Sequence, residues 1–167
     1  MTELSKLDVT DARSLRNVFG CFASGVTALC AMGETGPMGI VASSFTSVSV
    51  VPPLVSVCIQ SDSDRWKLLS KAPYLGLSIL AEDHDNLCRQ IASRAEDRFA
   101  GISWFASEKN GVFIDGATAH FECAIHTVHE AGDHHIVVLE IESMKSSPDV
   151  APLVFHGSRF RRLQVDA

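Results

Sequence analysis

Near the start of the chain, apolar residues recur at helical spacing. Four of them lie at i, i+3, i+4 and i+7: Leu15, Val18, Phe19 and Phe22. This is the spacing of one face of an α-helix, and Thr10 or Asp11 just before it can serve as the N-cap. The pattern predicts an amphipathic helix over about residues 10–23 that covers the end of a sheet or barrel.

After this segment the pattern changes to short runs rich in β-branched residues, separated by turn residues. The runs that predict strands are 26–32, 39–45, 54–59, 74–80, 119–130, 136–142 and 153–162. Two short helices interrupt them, one following Ser63 over 65–70 and one over about 83–92. Many short strands with few helices are typical of a closed or nearly closed antiparallel barrel, so we predict a mainly β fold.

The length of 167 residues is typical of one domain, and no repeat or linker divides the chain. We therefore expect a single domain over 1–167, with residues 1–10 as a flexible tail. Hydrophobic residues make up 46% of the chain, and mean hydropathy is +0.16. This apolar surplus indicates a homodimer.

Charge and cysteine usage exclude several classes of protein. The net charge of −6 gives no positive field for nucleic acid, and no apolar run has the roughly 20 residues of a membrane span. The five cysteines include no C-x-x-C pair, which argues against a disulfide framework or a zinc site. The N-terminus lacks the pattern of a signal peptide. We expect a cytoplasmic protein without nucleic-acid or membrane partners.

The segment 38–53 combines small hydroxyl side chains with apolar residues. The hydroxyl residues are Ser43, Ser44, Thr46, Ser47 and Ser49. Small side chains let a planar ligand approach the backbone, whose N–H and C=O groups can bind its polar edge. The alternative is an edge strand with hydroxyls facing solvent.

A second candidate lies at the start of the helix predicted after Ser63. Ser61, Ser63 and Arg65 combine hydroxyls, free N–H groups and a positive charge, which suits a phosphate. Alternatively, Ser63 is only an N-cap and Arg65 is a solvated charge.

The third candidate is His134, which follows the turn residues Gly132 and Asp133. Adjacent strand residues face opposite sides of a sheet, so His134 and His135 cannot share a site. His126 and His129 are three residues apart in a predicted strand and therefore also face opposite sides. Without a supporting carboxylate motif, this spacing argues against a metal site.

Two classes of enzyme lack their motifs. The chain has no G-x-S-x-G elbow for a hydrolase. Gly33, Gly36 and Gly39 have the spacing G-x-x-G-x-x-G and lead into a strand, which is not the Rossmann pattern.

Five segments resemble, in the same order along nearly the whole chain, motifs of the short-chain flavin reductases. They are 24–27 (SGVT), 39–55 (GIVASSFTSVSVVPPLV), 98–104 (RFAGISW), 132–134 (GDH) and 152–160 (PLVFHGSRF). These enzymes are the reductase components of two-component flavin-dependent monooxygenases. The resemblance implies a split β-barrel that binds FMN and forms a homodimer.

The resemblance also implies the reaction. NADH or NADPH passes a hydride to FMN or FAD, and the reduced flavin leaves for a partner oxygenase. The sequence does not distinguish FMN from FAD or NADH from NADPH. It identifies neither the oxygenase nor whether flavin is a tightly bound cofactor or a diffusible substrate.

Together with the two segments above, the resemblance implies a set of site residues. Those expected to bind flavin or nicotinamide are Val41, Ala42, Ser43, Ser44, Ser47, Ser61, Ser63, Arg65, Ser93, Arg98, His134, Arg159 and Phe160. His134 is the catalytic candidate, which orients the nicotinamide more than it donates a proton. Two positions depart from the family pattern, since Val41 replaces a usual Thr and Leu139 a usual Gly.

Two other functions remain open. One is a flavin-binding electron carrier of the same fold, which would keep its flavin through gel filtration. The other is a non-catalytic β-barrel interaction module, which would bind no flavin.

Overall fold

The computed structural model describes residues 8–164. Within that range it has three helices, α1 (Ala12–Phe19), α2 (Asp64–Leu69) and α3 (Asp85–Ala92). The strands are β1 (Ser24–Gly25), β2 (Thr27–Gly33), β3 (Gly36–Ala42), β4 (Thr46–Ser49), β5 (Leu54–Gln60), β6 (Leu75–Ile79), β7 (Trp104–Ala106), β8 (Val112–Ile114), β9 (Ala119–Ala131), β10 (His134–Ser146), β11 (Val154–His156) and β12 (Arg159–Arg161). The prediction of a mainly β protein with few helices is confirmed.

Seven strands form one antiparallel sheet in the order β3-β2-β6-β9-β10-β5-β4. The two edge strands, β3 and β4, are consecutive in the chain and are joined by only residues 43–45. Since each residue spans at most about 3.6 Å, this connection holds the two edges close together. The sheet therefore curls on itself. A second sheet, β1-β11-β12, and the hairpin β7-β8 lie outside it.

Apolar side chains on the two faces of the curled sheet form two core clusters. Successive residues of β2 alternate between them, as strand geometry requires: Leu29 packs in one cluster and Cys30 in the other. The first cluster includes Val57 of β5 and Val137 of β10. The second is covered by α3, and Ile91 of that helix is fully buried.

The longest hairpin joins β9 and β10 through the two-residue turn Gly132-Asp133. Gly132 has φ 65°, a left-handed conformation that glycine adopts without strain. The register places His134 opposite Ala131 on one side and Gln60 of β5 on the other. The turn therefore holds His134 at the end of two neighbouring strands.

The first helix differs from its prediction. Asp11 is its N-cap and accepts hydrogen bonds from the N–H groups of Arg13 and Ser14, but the helix ends at Phe19 instead of residue 23. It buries none of its residues. The expectation that it covers the end of a sheet is therefore wrong for the single chain.

Other boundaries also differ from the predicted ones. The run 153–162 is a hairpin of two strands, because Gly157 and Ser158 both have positive φ and turn the chain. Strands β7 and β8 were not predicted. The expected tail lies mostly outside the described residues, and within it Asp8 accepts hydrogen bonds from Thr10. No helix among residues 8–164 has the length and apolar character needed to cross a membrane.

Candidate functional site

A cavity of about 480 Å³ opens where β3 ends, beside β5 and α3. Seven of the predicted site residues line it: Val41, Ala42, Ser43, Ser44, Ser63, Arg98 and His134. They come from four separate parts of the chain. We call this space the first cavity.

The hydroxyl of Ser44 is used to hold the wall of this cavity. Its Oγ accepts the N–H of Cys58 at 2.8 Å and donates to the Cys58 carbonyl at 3.1 Å. The Ser44 side chain thus takes the place of a pair of backbone hydrogen bonds to β5, in the short connection between the end of β3 and the start of β4. The exposed Ser43 beside it stays accessible at the cavity.

Ser61 fixes the turn that precedes His134. Its backbone N–H and its hydroxyl both donate to the Asp133 carbonyl, at 3.0 and 3.1 Å. The Asp133 carboxylate lies 2.7 Å from Nδ1 of His134, and this hydrogen bond lowers the pKa of Asp133. Because Asp133 engages Nδ1, Nε2 is the ring nitrogen left for a ligand.

The predicted anion site is divided between two cavities. Ser63 lines the first cavity, but its Oγ accepts the Trp66 N–H at 3.2 Å as the N-cap of α2. Arg65 instead lines a neighbouring space of about 1210 Å³, the second cavity. That cavity lies between the β2–β3 turn, α2 and residues 96–102.

Arg98 lines both cavities. One guanidinium nitrogen donates to the Ile91 carbonyl at 3.2 Å, while its Nε is buried and has no partner among the described residues. Burial, and then repulsion from Arg65, lower the pKa of Arg98. A buried N–H donor without an acceptor indicates a place for a ligand oxygen.

Five predicted residues lie outside the linings of both cavities, among them Ser61, whose contacts are given above. Ser93 is the C-cap of α3, and its Oγ accepts the Ala95 N–H. Ser47 is exposed on β4. Arg159 and Phe160 lie on β12, where the Phe160 ring packs against Phe155 and under the guanidinium of Arg89.

Six residues that line the first cavity are absent from the predicted set: Ile40, Cys58, Ile59, Gln60, Ile91 and Ala92. Cys58 and Gln60 are two apart on β5, and Gln60 pairs with His134. Strand alternation would have placed both with His134 once the pairing of β5 with β10 was known.

The buried cysteine thiols are not nucleophiles at neutral pH. All five cysteines are free, and burial raises the pKa of Cys30 to about 12 and that of Cys88 to about 11. Both are protonated at neutral pH. Among residues 8–164, no group of three or more His, Cys, Asp or Glu side chains could hold a metal ion.

Fold and site together define a protein with a curled antiparallel sheet that opens at a polar cavity beside its edge strands. Residues 19–164 match the model of the flavin reductase like domain. The chain belongs to this family.

Two relatives cover most of the chain. It is 38% identical over 166 residues to an NADH-dependent FAD reductase of Streptomyces globisporus, covering 96% of this chain and 91% of that protein. It is 30% identical over 159 residues to the reductase subunit HsaB of a flavin-dependent monooxygenase from Rhodococcus jostii, covering 95% and 82%.

Two solved structures have the same fold. The NADH:FAD oxidoreductase of Streptomyces globisporus, in complex with NAD and FAD fragments, superposes with a TM-score of 0.92 at 38% identity, covering 98% of this chain and 99% of that one. The flavin reductase component of a bacterial two-component tryptophan halogenase gives a TM-score of 0.85 at 35% identity, covering 93% and 100%.

Proposed function

We propose that this protein is an NAD(P)H-dependent flavin reductase that reduces FMN or FAD by hydride transfer and supplies the reduced flavin to a partner monooxygenase. The observation that carries the proposal is the convergence in the first cavity of the β3 backbone, the unpartnered Nε of Arg98 and His134. The names of the relatives support the same reaction.

The first cavity fits a flavin in the chemistry of its walls. Residues 41–44 present short side chains and backbone polar groups to a flat ligand, and Ile91 adds an apolar wall. Ser63, Arg65 and Arg98 would serve its phosphate end. Ser61 and Ser93 line neither cavity and stay predictions from the sequence for this end. Ser47 lies on β4, just after residues 43–45, and would help to position the edge of the flavin site.

The chemistry that a bound flavin supplies is acceptance of a hydride from the nicotinamide. The protein's part is to hold the two rings together, since fixed geometry lowers the barrier more than acid–base groups would here. Asp133 holds the His134 ring by Nδ1, so that Nε2 can orient the nicotinamide. From the family resemblance, Arg159 and Phe160 are predicted to form part of the nicotinamide pocket, and this stays a prediction.

The fold and assembly complete the proposal. We infer a split β-barrel from the curled seven-stranded sheet, in a single domain over 1–167. We infer a homodimer from the exposed apolar residues of and after α1, with Phe19 68% and Phe22 80% exposed. The preference for NADH and FAD is inferred from the relative that is 38% identical.

The reaction is tested on purified protein. We expect NADH oxidation only when FMN or FAD is added, and flavin lost from the protein on gel filtration. No oxidation with either flavin would refute the proposed function. A yellow protein that keeps its flavin would indicate the electron carrier instead.

The role of His134 is tested by His134→Ala. Losing one hydrogen bond at the nicotinamide should raise KM for NADH about 3- to 10-fold and slow flavin reduction in stopped flow. Flavin affinity should change less than about twofold, because the flavin seat is on other strands. His129→Ala, an exposed histidine of the same hairpin outside both cavities, is the control. An unchanged reduction rate and NADH dependence would contradict this role.

A further inference from the structure

Gln60, the last residue of β5, lines the first cavity and has no role in the function described so far. Burial alternates along β5, so that Val55, Val57 and Ile59 are buried and Gln60 is exposed. In the antiparallel pair of β5 with β10, Gln60 lies directly opposite His134. Side chains that are directly opposite in such a pair project from the same face, with Cβ atoms roughly 4.5–5.5 Å apart. A group held by His134 is therefore within reach of the Gln60 carboxamide.

The backbone that carries this pair is fixed on both strands. The N–H and the hydroxyl of Ser61 both donate to the Asp133 carbonyl, which ties the end of β5 to the turn before His134. The Gln60 carbonyl accepts the Ser63 N–H at 3.2 Å. The side-chain hydrogen bonds of this region leave the carboxamide of Gln60 without a partner among residues 8–164. A polar group on a fixed backbone can bind a ligand at a smaller entropy cost.

His134 and Gln60 offer complementary hydrogen-bonding groups. The hydrogen bond with His134 lowers the pKa of Asp133, so Asp133 is an ionised acceptor at neutral pH. Nδ1 of His134 therefore donates to Asp133, and Nε2 of the neutral ring is an acceptor. The Gln60 carboxamide adds an N–H donor beside it. An acceptor next to a donor matches a primary carboxamide, whose N–H donates and whose C=O accepts.

Building on the proposed function, we propose that Gln60 is a specificity-determining residue that recognises the carboxamide of the nicotinamide ring. Its N–H donates to the carboxamide oxygen, while Nε2 of His134 accepts the carboxamide N–H. One hydrogen bond would leave the ring free to turn, whereas two fix which face of the ring meets the flavin. Gln60 therefore selects the hydride donor and does not contribute to flavin affinity, since residues 41–44 belong to another part of the chain.

Thio-NAD⁺, in which sulfur replaces the carboxamide oxygen, tests this contact. Sulfur is a weak acceptor, and the amide N–H groups remain. Isothermal titration of protein saturated with FAD gives the Kd of NAD⁺ and of thio-NAD⁺ without turnover, because flavin and dinucleotides are all oxidised. We expect the unsubstituted protein to prefer NAD⁺ about 3- to 10-fold, the range for one neutral hydrogen bond. In Gln60→Leu this preference should fall below about twofold, with FAD affinity changed less than about twofold.

A second variant tests the proposal even if Gln60→Leu does not fold. Gln60→Glu keeps the size of the side chain but replaces the N–H donor by an oxygen that faces the carboxamide oxygen, so NAD⁺ affinity should fall at least about tenfold. Gln164→Leu is the matched control, because Gln164 is an exposed glutamine outside both cavity linings. It should leave the affinities for NAD⁺ and thio-NAD⁺ unchanged.

Three results would overturn the proposal. They are equal affinities of the unsubstituted protein for NAD⁺ and thio-NAD⁺, a preference for NAD⁺ that persists in Gln60→Leu, and a Gln60→Leu protein that loses as much affinity for FAD as for NAD⁺. In each case NADH oxidation by the unsubstituted protein with added FAD would still report separately on the proposed function.

Discussion

Helices α1 and α3 have the same length and a similar amphipathic pattern, yet only one of them is covered. Each has eight residues. In α3 the apolar side is buried, with Ile91 fully enclosed. In α1 no residue is buried, and Val18 and Phe19 are 49% and 68% exposed.

This difference shows what an apolar helical face specifies. It requires a covering surface, because exposed apolar area costs free energy, but it does not say which surface that is. For α3 the cover is the second core cluster of the same chain. For α1 we propose that the cover is a second copy of this chain.

The largest expected effect contrasts one residue from each helix. Ile91→Ala should lower the free energy of unfolding by about 2–5 kcal/mol, because it removes buried methyl groups and leaves a cavity. Val18→Ala should change it by less than about 1 kcal/mol at concentrations where the protein is monomeric. Urea unfolding of flavin-free protein measures both. Equal losses would show that α1 is covered within the chain.

The next effect concerns association. Replacing both Phe19 and Phe22 by Ser should convert a dimer into an 18.0 kDa species in sedimentation at micromolar concentration, since these rings are the most exposed aromatic residues near α1. Leu68→Ser, on the exposed side of α2, is the control and should stay dimeric. A monomeric unsubstituted protein would contradict the proposed interface.

The smallest effect concerns the N-caps. Asp11 caps α1 with its side chain, whereas His84 at the start of α3 accepts the Ala81 N–H at Nδ1. Burial lowers the pKa of His84, although Asp83 and Asp115 partly oppose this. As pH falls, His84 of the unfolded chain therefore binds its proton at a higher pH than His84 of the folded protein does. Stability is lost as pH falls below the ordinary value of about 6.5, until the folded pKa is reached.

His84→Asn keeps an acceptor for Ala81 but cannot titrate. Its Tm should fall about 1–3 °C less between pH 7.5 and 5.5 than that of the unsubstituted protein. The exposed His126→Asn provides the comparison and should not reproduce this gain. A Tm slope unchanged by His84→Asn would show that this histidine is not linked to folding.

The sequence predicted elements well where the pattern is local. The cap at Asp11, one of the two candidates, and the apolar runs that became β2 and β5 need only neighbouring residues. Helix α1 was predicted too long because Phe22 continues its period after the helix has ended. The hairpin β7-β8 was missed because its strands have three residues each, too few to show alternation.

The site was predicted as a set of residues but not as an arrangement. Seven of the predicted residues line one cavity. Six of them belong to segments that carry the family resemblance, and Ser63 belongs to the predicted helix start. Their hydrogen-bond partners could not be read from the sequence. Ser44 binds a residue 14 positions away and Ser61 one 72 positions away. Both hydroxyls, predicted for ligand binding, are engaged in holding the chain.

The three-residue connection between β3 and β4 limits how the first cavity can adapt. Residues 43–45 tie together the two edges of the sheet, and Ser44 fastens them to β5. This wall cannot move outward unless the curled sheet as a whole becomes wider. We therefore expect adjustment to ligands of different size to come from the opposite side, where Arg98 belongs to a segment, residues 93–103, that forms neither strand nor helix.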